Sequence, residues 1–324
     1  MADVDLSFLA ICVLIPFFFL IFLKFIVRPH PVTIPIKSRH VFITGGSTGI
    51  GLALARLAAA EGARVTILAR NLEKLEEAKT SIHRSTGMDV AIVSADVCDF
   101  EAVKNAIESA GPIDVLVCNQ GVFEAQEIDN LDMKAIKNMI DVNLIGNFHL
   151  VKAALPGMKK RMGREPVSIS FMSSQAGQAG IYGSTAYAAS KFGLRGLAEA
   201  LQQEVIADNI HVSLICPPET ETAALLKDRE RRPRLTGIII SSSPAMQTDE
   251  VAKIALNGIK AGRFFVTCNA VGMLLSIATS GCSPQKSVLM AFIEIIFIGV
   301  ARIAALCFQW TWYKSIEKYH AQQK

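Results

Sequence analysis

Apolar and polar positions fall into three regimes along the chain. Every residue from 8 to 23 is apolar, and Lys24 interrupts the run only briefly before Phe25, Ile26 and Val27. About 20 such residues in a helix cross a bilayer, so the run predicts a membrane anchor. A cleaved signal peptide competes with that reading, but Asp3 and Asp5 stand where it needs positive charge, and no small-residue cleavage site comes after the run. Lys24, Arg28, Lys37 and Arg39 lie on the far side of the run and predict that this side faces the cytosol. Pro29, Pro31 and Pro35 stiffen the link to the next regime. From Ser38 short β-rich runs alternate with stretches of helical period. The runs are 40–43, 64–68, 90–93, 115–117, 167–171 and 212–215; helices are expected after the first run to near Gly62, over 72–82 and over 100–107. Such alternation predicts a parallel sheet covered on both faces. After Arg263 two apolar blocks, 264–280 and 288–308, form the third regime. The first begins with β-rich Phe264, Phe265 and Val266 and reads as a last strand with its return. The second carries Glu294 and Arg302, awkward in mid-bilayer, and is succeeded by Trp310, Trp312, Tyr313, Lys314 and Lys318, an interfacial pattern. A membrane hairpin and a partly inserted amphipathic surface both fit these blocks. The expected divisions are 1–37, a lumenal tip, anchor and linker; 38–266, an α/β domain; and 267–324, a membrane-associated region.

Composition sharpens this picture. Half of the 324 residues (51%) are hydrophobic, which is more than an ordinary soluble domain carries even with glycine counted. The net charge of +4 comes without a dense Lys/Arg stripe interleaved with aromatics, which argues against a nucleic-acid partner. Cys12, Cys98, Cys118, Cys216, Cys268, Cys282 and Cys307 form no C-x-x-C pair and no metal-ligand cluster. A reducing, cytosol-facing domain without a metal is expected.

Chemistry concentrates at a few points. Thr44-Gly45-Gly46-Ser47-Thr48-Gly49-Ile50-Gly51 stands where a strand becomes a helix. Glycines let backbone amides close on a pyrophosphate, and the helix N-terminus favours its charge. The fold expected is therefore α/β, a Rossmann-like doubly wound parallel sheet, with an N-terminal transmembrane helix and an apolar C-terminal membrane-associated segment. At the end of the second strand, where an NAD enzyme places an acid, stand Ala69 and Arg70. A guanidinium there pairs with a 2′-phosphate, which favours NADPH; a solvated loop cation is the alternative. Tyr187 and Lys191 lie one helical turn apart on one face, and a nearby ammonium lowers a phenol's pKa. Ser174, thirteen residues upstream at the end of a strand, can hold a carbonyl while Tyr187 delivers a proton. Its neighbour Ser173 reads as an equally exposed hydroxyl with at most a capping role.

The ordered set of T-G-x-x-x-G-x-G, Ser174 and Y-x-x-x-K resembles the short-chain dehydrogenase/reductase family over residues 38–266. The resemblance implies an Asn-Ser-Tyr-Lys tetrad of Asn143, Ser174, Tyr187 and Lys191. Asn143 would position a proton-relay water, and Lys191 would also hold the cofactor ribose. It implies cofactor contacts from Gly45, Ser47, Thr48, Gly49, Ile50, Gly51, Arg70, Asp96, Asn119, Tyr187, Lys191, Pro217 and Thr220. A helix N-cap is the alternative for Asp96. The chain departs from the family pattern at Cys118-Asn119-Gln120-Gly121, where Gln120 replaces a small residue, and at Pro217-Pro218. The segments 173–178, 185–205 and 216–222 and the apolar ends resemble a branch of the family that works at the endoplasmic reticulum membrane, with its active site facing the cytosol. That branch reduces a long-chain lipid ketone, a sphingoid one, with NADPH. A membrane steroid or retinoid oxidoreductase, or a catalytically silent NADPH-sensing scaffold, stand as alternatives, and the oligomeric state is left open, a homo-oligomer included. After Thr222, Leu225 and Leu226, then Arg229, Arg231, Arg232 and Arg234, then Ile238 to Ile240 suggest a substrate lid. Its arginines would meet anionic headgroups, or would simply be solvated.

Overall fold

The computed structural model describes residues 6–161, 165–241 and 243–322, and side chains from Val13 onward. Asp3 and Asp5 lie outside the described residues. Seven strands form one sheet: β1 (His40–Thr44), β2 (Arg64–Ala69), β3 (Ala91–Ser94), β4 (Val115–Cys118), β5 (Val167–Met172), β6 (Ile210–Cys216) and β7 (Phe265–Thr267). Their order is β3-β2-β1-β4-β5-β6-β7 and every pairing is parallel. The inner strands β4, β5 and β6 are buried at every residue, as strands covered on both faces must be. Polar residues survive there because they are bonded. Ser168 and Ser170 share a 3.0 Å hydrogen bond, and Ser213 donates to the Arg263 carbonyl at 2.6 Å.

Among the described residues, twelve α-helices accompany the sheet: α1 (Leu6–Ile26), α2 (Gly49–Ala60), α3 (Leu72–Thr86), α4 (Phe100–Ala110), α5 (Met133–Ile140), α6 (Gly146–Lys159), α7 (Thr185–Val205), α8 (Ala223–Arg231), α9 (Arg234–Ile240), α10 (Thr248–Lys260), α11 (Ala270–Ala278) and α12 (Val288–Ala321). On one face Leu54 and Ala58 of α2, Leu75 and Ile82 of α3, and Val251 and Ile259 of α10 pack on the sheet. On the other, Val103 and Ile107 of α4, Leu150 of α6, and Leu194 and Leu201 of α7 do the same. The strand order reverses between β1 and β4, so the carboxyl ends of these two strands part into a crevice, the place where such sheets bind ligands.

The ends of the chain are less separate than the sequence suggests. Ile34 and Ile36, in the proline-rich linker, are buried in the sheet's core, and the Ile34 amide donates to the Lys260 carbonyl at 2.7 Å. Cys268 is buried in the same core, beyond the last strand. Helix α11 has nine residues and rises only about 14 Å, under half a bilayer core, so the two blocks do not make a hairpin of two spans. Among the described residues, α12, with 34 residues, is the one helix long and apolar enough to cross a membrane. The 21 residues of α1 pack on it through Leu23, Val27 and Ala291, with the Phe19 and Phe292 rings 5.9 Å apart.

Candidate active site

The turn after β1 is built for a close approach of backbone. Gly45 and Gly49 take φ of 62° and 57°, values open to glycine. A Cβ on Gly51 would stand 2.3 Å from the Gly45 carbonyl oxygen, so the first turn of α2 lies directly against the loop. Thr48, the residue before α2, is extended and makes no side-chain cap bond. Amides in that first turn are thus left for an anion in the crevice. Asn119, at the end of β4, fixes the loop from the other side: Nδ2 donates to the Thr44 and Gly45 carbonyls at 3.1 and 3.3 Å. Gln120 borders the cavity, with its side chain tied down beside it. It turns inward, is bonded to the Thr44 hydroxyl, and donates to the Val142 carbonyl at 3.4 Å. The glycine cradle and the free helix end fit a dinucleotide pyrophosphate.

A cavity of about 600 Å³ opens here, at the carboxyl ends of the central strands. Gly45, Thr48, Gly49, Ile50, Asn119, Ser174, Tyr187, Lys191, Pro217 and Thr220 all line it. Ser47 and Gly51 belong to the same turn but not to the cavity wall, and neither Asn143, Arg70 nor Asp96 reaches the wall. Arg70, exposed, and Asp96, half-buried, face each other outside it, with 3.9 Å between Nη1 and Oδ2. Asp96 is not the cap of α4; Asp99 is, while Asp96 accepts from the Cys98 amide at 3.0 Å. Sequence reasoning missed Lys74, which lines the cavity from the first turn of α3, four residues beyond Arg70. Its signal was available: a second cation one helical turn after the first.

Ser174 comes directly after β5. Its hydroxyl accepts from the Ala176 amide at 3.1 Å, which holds its oxygen at the cavity edge. Ser173 is not its exposed twin. It is buried and donates to the Lys191 carbonyl at 3.3 Å, tying the strand end to α7, and the capping hydroxyl is that of Ser174. Tyr187 keeps part of its surface open, and its ring meets Phe123 edge-on at 4.6 Å. Burial pushes the Tyr187 phenol up to about 12; a hydrogen bond with Ser174 pulls the other way, and the charge of Asp228 adds to the rise. The expected lowering by Lys191 is not among the causes in this arrangement. The reason is visible: the Lys191 ammonium donates to the Met172 carbonyl at 2.8 Å, lies 5.5 Å from the Tyr187 ring centroid, and is itself pulled down to about 8 by burial. Asn143 is fully buried within a π-helical turn, 141–145. Its Oδ1 accepts from the Val122 amide at 2.8 Å, and its Nδ2 donates to the Val122 carbonyl at 2.9 Å and to Ser190 at 3.1 Å. With its side chain spent this way, it braces the loop after β4 against α7.

Helices α8 and α9 pass from β6 over the cavity. Leu225, Leu235 and Ile239 are buried, whereas Leu226 and Ile238 are exposed. Two of the four arginines are paired: Arg229, which is exposed, is bonded to Glu221, and the half-buried Arg232 to Glu219. Arg231 and Arg234 are exposed, with no ion-pair partner among the described residues.

The sequence signature of the short chain dehydrogenase family matches residues 39–233, and the chain belongs to that family. It is an NAD(P)(H)-dependent oxidoreductase. Two 3-dehydrosphinganine reductases of Arabidopsis thaliana are each 59% identical to it, one over 94% of this chain and 92% of that protein, the other over 91% and 90%. The 3-ketodihydrosphingosine reductase of Bos taurus is 35% identical over 87% of this chain and 86% of its own length. Retinol dehydrogenase 8 of Homo sapiens is 38% identical, over 55% of this chain and 58% of its own. A solved structure described as a short chain dehydrogenase/reductase family protein matches with a TM-score of 0.62 at 27% identity, covering 72% of this chain and 97% of that one.

Proposed function

We propose that this protein reduces the ketone of 3-ketosphinganine to give sphinganine, using NADPH, at the cytosolic face of the endoplasmic reticulum membrane. The observation that carries this reading is the reach of the likeness: identity to 3-dehydrosphinganine reductases runs through the apolar C-terminal region, whereas the retinol dehydrogenase match covers only 55% of the chain. An apolar α12 with α1 packed on it suits an enzyme of lipids, and we read α1 as a second span. The glycine turn would hold the pyrophosphate, Lys191 the ribose, and Lys74 and Arg70 a 2′-phosphate. When bound, NADPH supplies a hydride to the carbonyl carbon.

The chain's own groups manage the oxygen. Ser174 orients the carbonyl beside Tyr187. A phenol at about 12 keeps its proton at neutral pH, yet it is a stronger acid than an alcohol, for which water at about 15.7 is a guide. The proton therefore passes downhill from Tyr187 to the oxygen as negative charge develops there. Asn143 acts at one remove, by holding the loop that carries Val122 and Phe123.

NADPH and NADH oxidation should be measured with the full-length protein and a panel of 3-ketosphinganine, a 3-ketosteroid and retinal. The expected result is turnover of 3-ketosphinganine at least tenfold above the other two, with NADPH preferred. Preference for retinal or steroid would replace the substrate reading, and no turnover of any of them would favour a silent scaffold.

A further inference from the structure

Between the exit of β6 and the lid, carboxylates outnumber guanidinia. Glu219 lines the cavity; it is bonded to Arg232 and lies 3.5 Å from Arg229. Arg229 also forks onto Glu221 at 2.9 and 3.2 Å, and Arg232 lies 3.7 Å from Asp228. Three carboxylates thus share two arginines, which leaves one negative charge unanswered. That charge is met least at Asp228, a residue only 8% exposed. Its Oδ1 accepts a long bond, 3.4 Å, from the Ala125 amide, and its buried Oδ2 has no hydrogen-bond donor, the Arg232 guanidinium standing 3.7 Å from it. A buried carboxylate oxygen without a donor is costly to keep, and a donor that arrives with a ligand would relieve that cost.

The place of Asp228 says which part of the ligand that is. It is not itself on the cavity wall but lies in α8 behind Leu225 and Lys227, which are. The Ala125 amide that it accepts from belongs to the loop of Phe123, whose ring packs on Tyr187. The negative charge of Asp228 is felt at the Tyr187 phenol. Asp228 therefore borders the ketone end of the cavity, away from the glycine turn. The cations facing this end are Lys191 beneath Tyr187, Lys227 at the exposed wall, and the two arginines already shared.

We propose that Asp228, together with Glu219, forms a subsite for an ammonium group on the carbon next to the ketone. This rests on the 3-ketosphinganine reading, since a 2-amino-3-ketone carries its nitrogen about 2.5 Å from the carbonyl carbon, by ordinary bond lengths. The group that receives that ammonium must therefore border the Ser174 and Tyr187 pair. An N–H bond to a dehydrated carboxylate is short and strong, and a site built for it rejects an analogue that lacks it. Neither retinal nor a steroid ketone offers such a cation.

The full-length protein should be assayed with 3-ketosphinganine and with the 2-deamino ketone of the same chain length. The wild type is expected to favour the amine by about a hundredfold in kcat/KM. Asp228→Asn keeps the shape and the Ala125 bond but removes the charge, and should cut that preference about tenfold, chiefly through KM. NADPH binding, read by fluorescence, checks that the variant is folded. If it is not, the wild type with the N-acetylated ketone, which has no charge, is expected to lose the same preference. Equal kcat/KM for the charged and uncharged ketones in the wild type, or an unaltered preference in folded Asp228→Asn, overturns the subsite while leaving the reductase reading intact. Turnover of neither ketone overturns the reductase reading itself.

Discussion

Tyr187 is the one residue whose loss should stop the chemistry while sparing the scaffold. Tyr187→Phe removes the transferable proton but keeps the edge-on contact with Phe123. Turnover should fall about 10²- to 10⁴-fold, the usual worth of a positioned acid, with NADPH affinity within threefold; reductase activity within tenfold of the parent would refute the assignment. Lys191 sets a pH dependence. Its pKa is pulled from 10.5 to about 8 by burial, so in the ligand-free protein its ammonium is full below pH 8 and empties above it. If that ammonium holds the ribose, NADPH affinity should be highest below pH 8 and fall about tenfold or more by pH 10, the scale of a charged hydrogen bond. The contribution of Lys191 to stability runs the other way. The unfolded chain binds the extra proton between pH 8 and 10.5, so stability from this group rises with pH across that window. Affinity measured beside unfolding midpoints at each pH separates the two; affinity flat from pH 7 to 10 would remove the ammonium from the cofactor site. Residue types and spacing placed Tyr187 and Lys191 on one helical face and Ser174 at the end of a strand. They could not show that Ser173 is buried or that Asn143 spends its side chain on Val122, since both depend on which segment the chain folds against.

Elements were legible where one face or both faces of a strand had to be apolar. All seven β-rich runs became strands with ends shifted by no more than two residues, and the glycine turn stands between β1 and α2 as its composition required. Helices α5 and α6 and the π-turn between them were not legible, because Asn143 and Asn147 sit on a buried face and break its apolar period. The Asn147 amide instead donates to the Asn143 carbonyl at 2.7 Å, a local bond that no pattern of hydrophobicity announces. How the C-terminal blocks are tied to the domain was not legible for a similar reason. They are fixed by Arg195 of α7, which bonds to the Glu199 carboxylate at 2.8 Å, to Thr279 and Ser283 through their hydroxyls at 3.2 and 2.8 Å, and to the Ser280 carbonyl at 3.2 Å. Its guanidinium also lies 5.1 Å from the Phe265 ring centroid. The turn between α11 and α12 is thereby docked onto the reductase core. Arg195→Ala should cost about 2–4 kcal/mol, because it strips several partners of one half-buried cation at once. Unfolding in detergent measures the loss, and cleavage by protease within 279–287 should become faster. Parental stability together with parental protease resistance would show that the turn is held by other contacts.

At the scale of the molecule, the cavity, the lid and the apolar helices adjoin one another in turn. Helix α9 packs against α12, α12 against α1, and Ile240 at the end of α9 lines the cavity. A long alkyl chain that passed from the bilayer along this path would not cross water, which saves about 0.8 kcal/mol for each CH₂ kept covered. The lid arginines divide by what they touch. Arg229 and Arg232 hold the lid together through Glu219, Glu221 and Asp228, so changing them to Gln should impair every substrate alike. Arg231 and Arg234 are exposed beside Leu226 and Ile238, apolar residues of the same two helices that also face outward. Each basic residue near an anionic surface contributes about 1 kcal/mol. Arg231→Gln with Arg234→Gln should therefore raise the apparent KM for 3-ketosphinganine delivered in anionic vesicles about tenfold or more, with little change on neutral vesicles. A short-chain, water-soluble 3-keto analogue should be reduced as before, because it needs no docking of the lid to reach Tyr187. Equal loss for both substrates, or loss that ignores vesicle charge, would mean that these arginines are only solvated and that the lid opens to water.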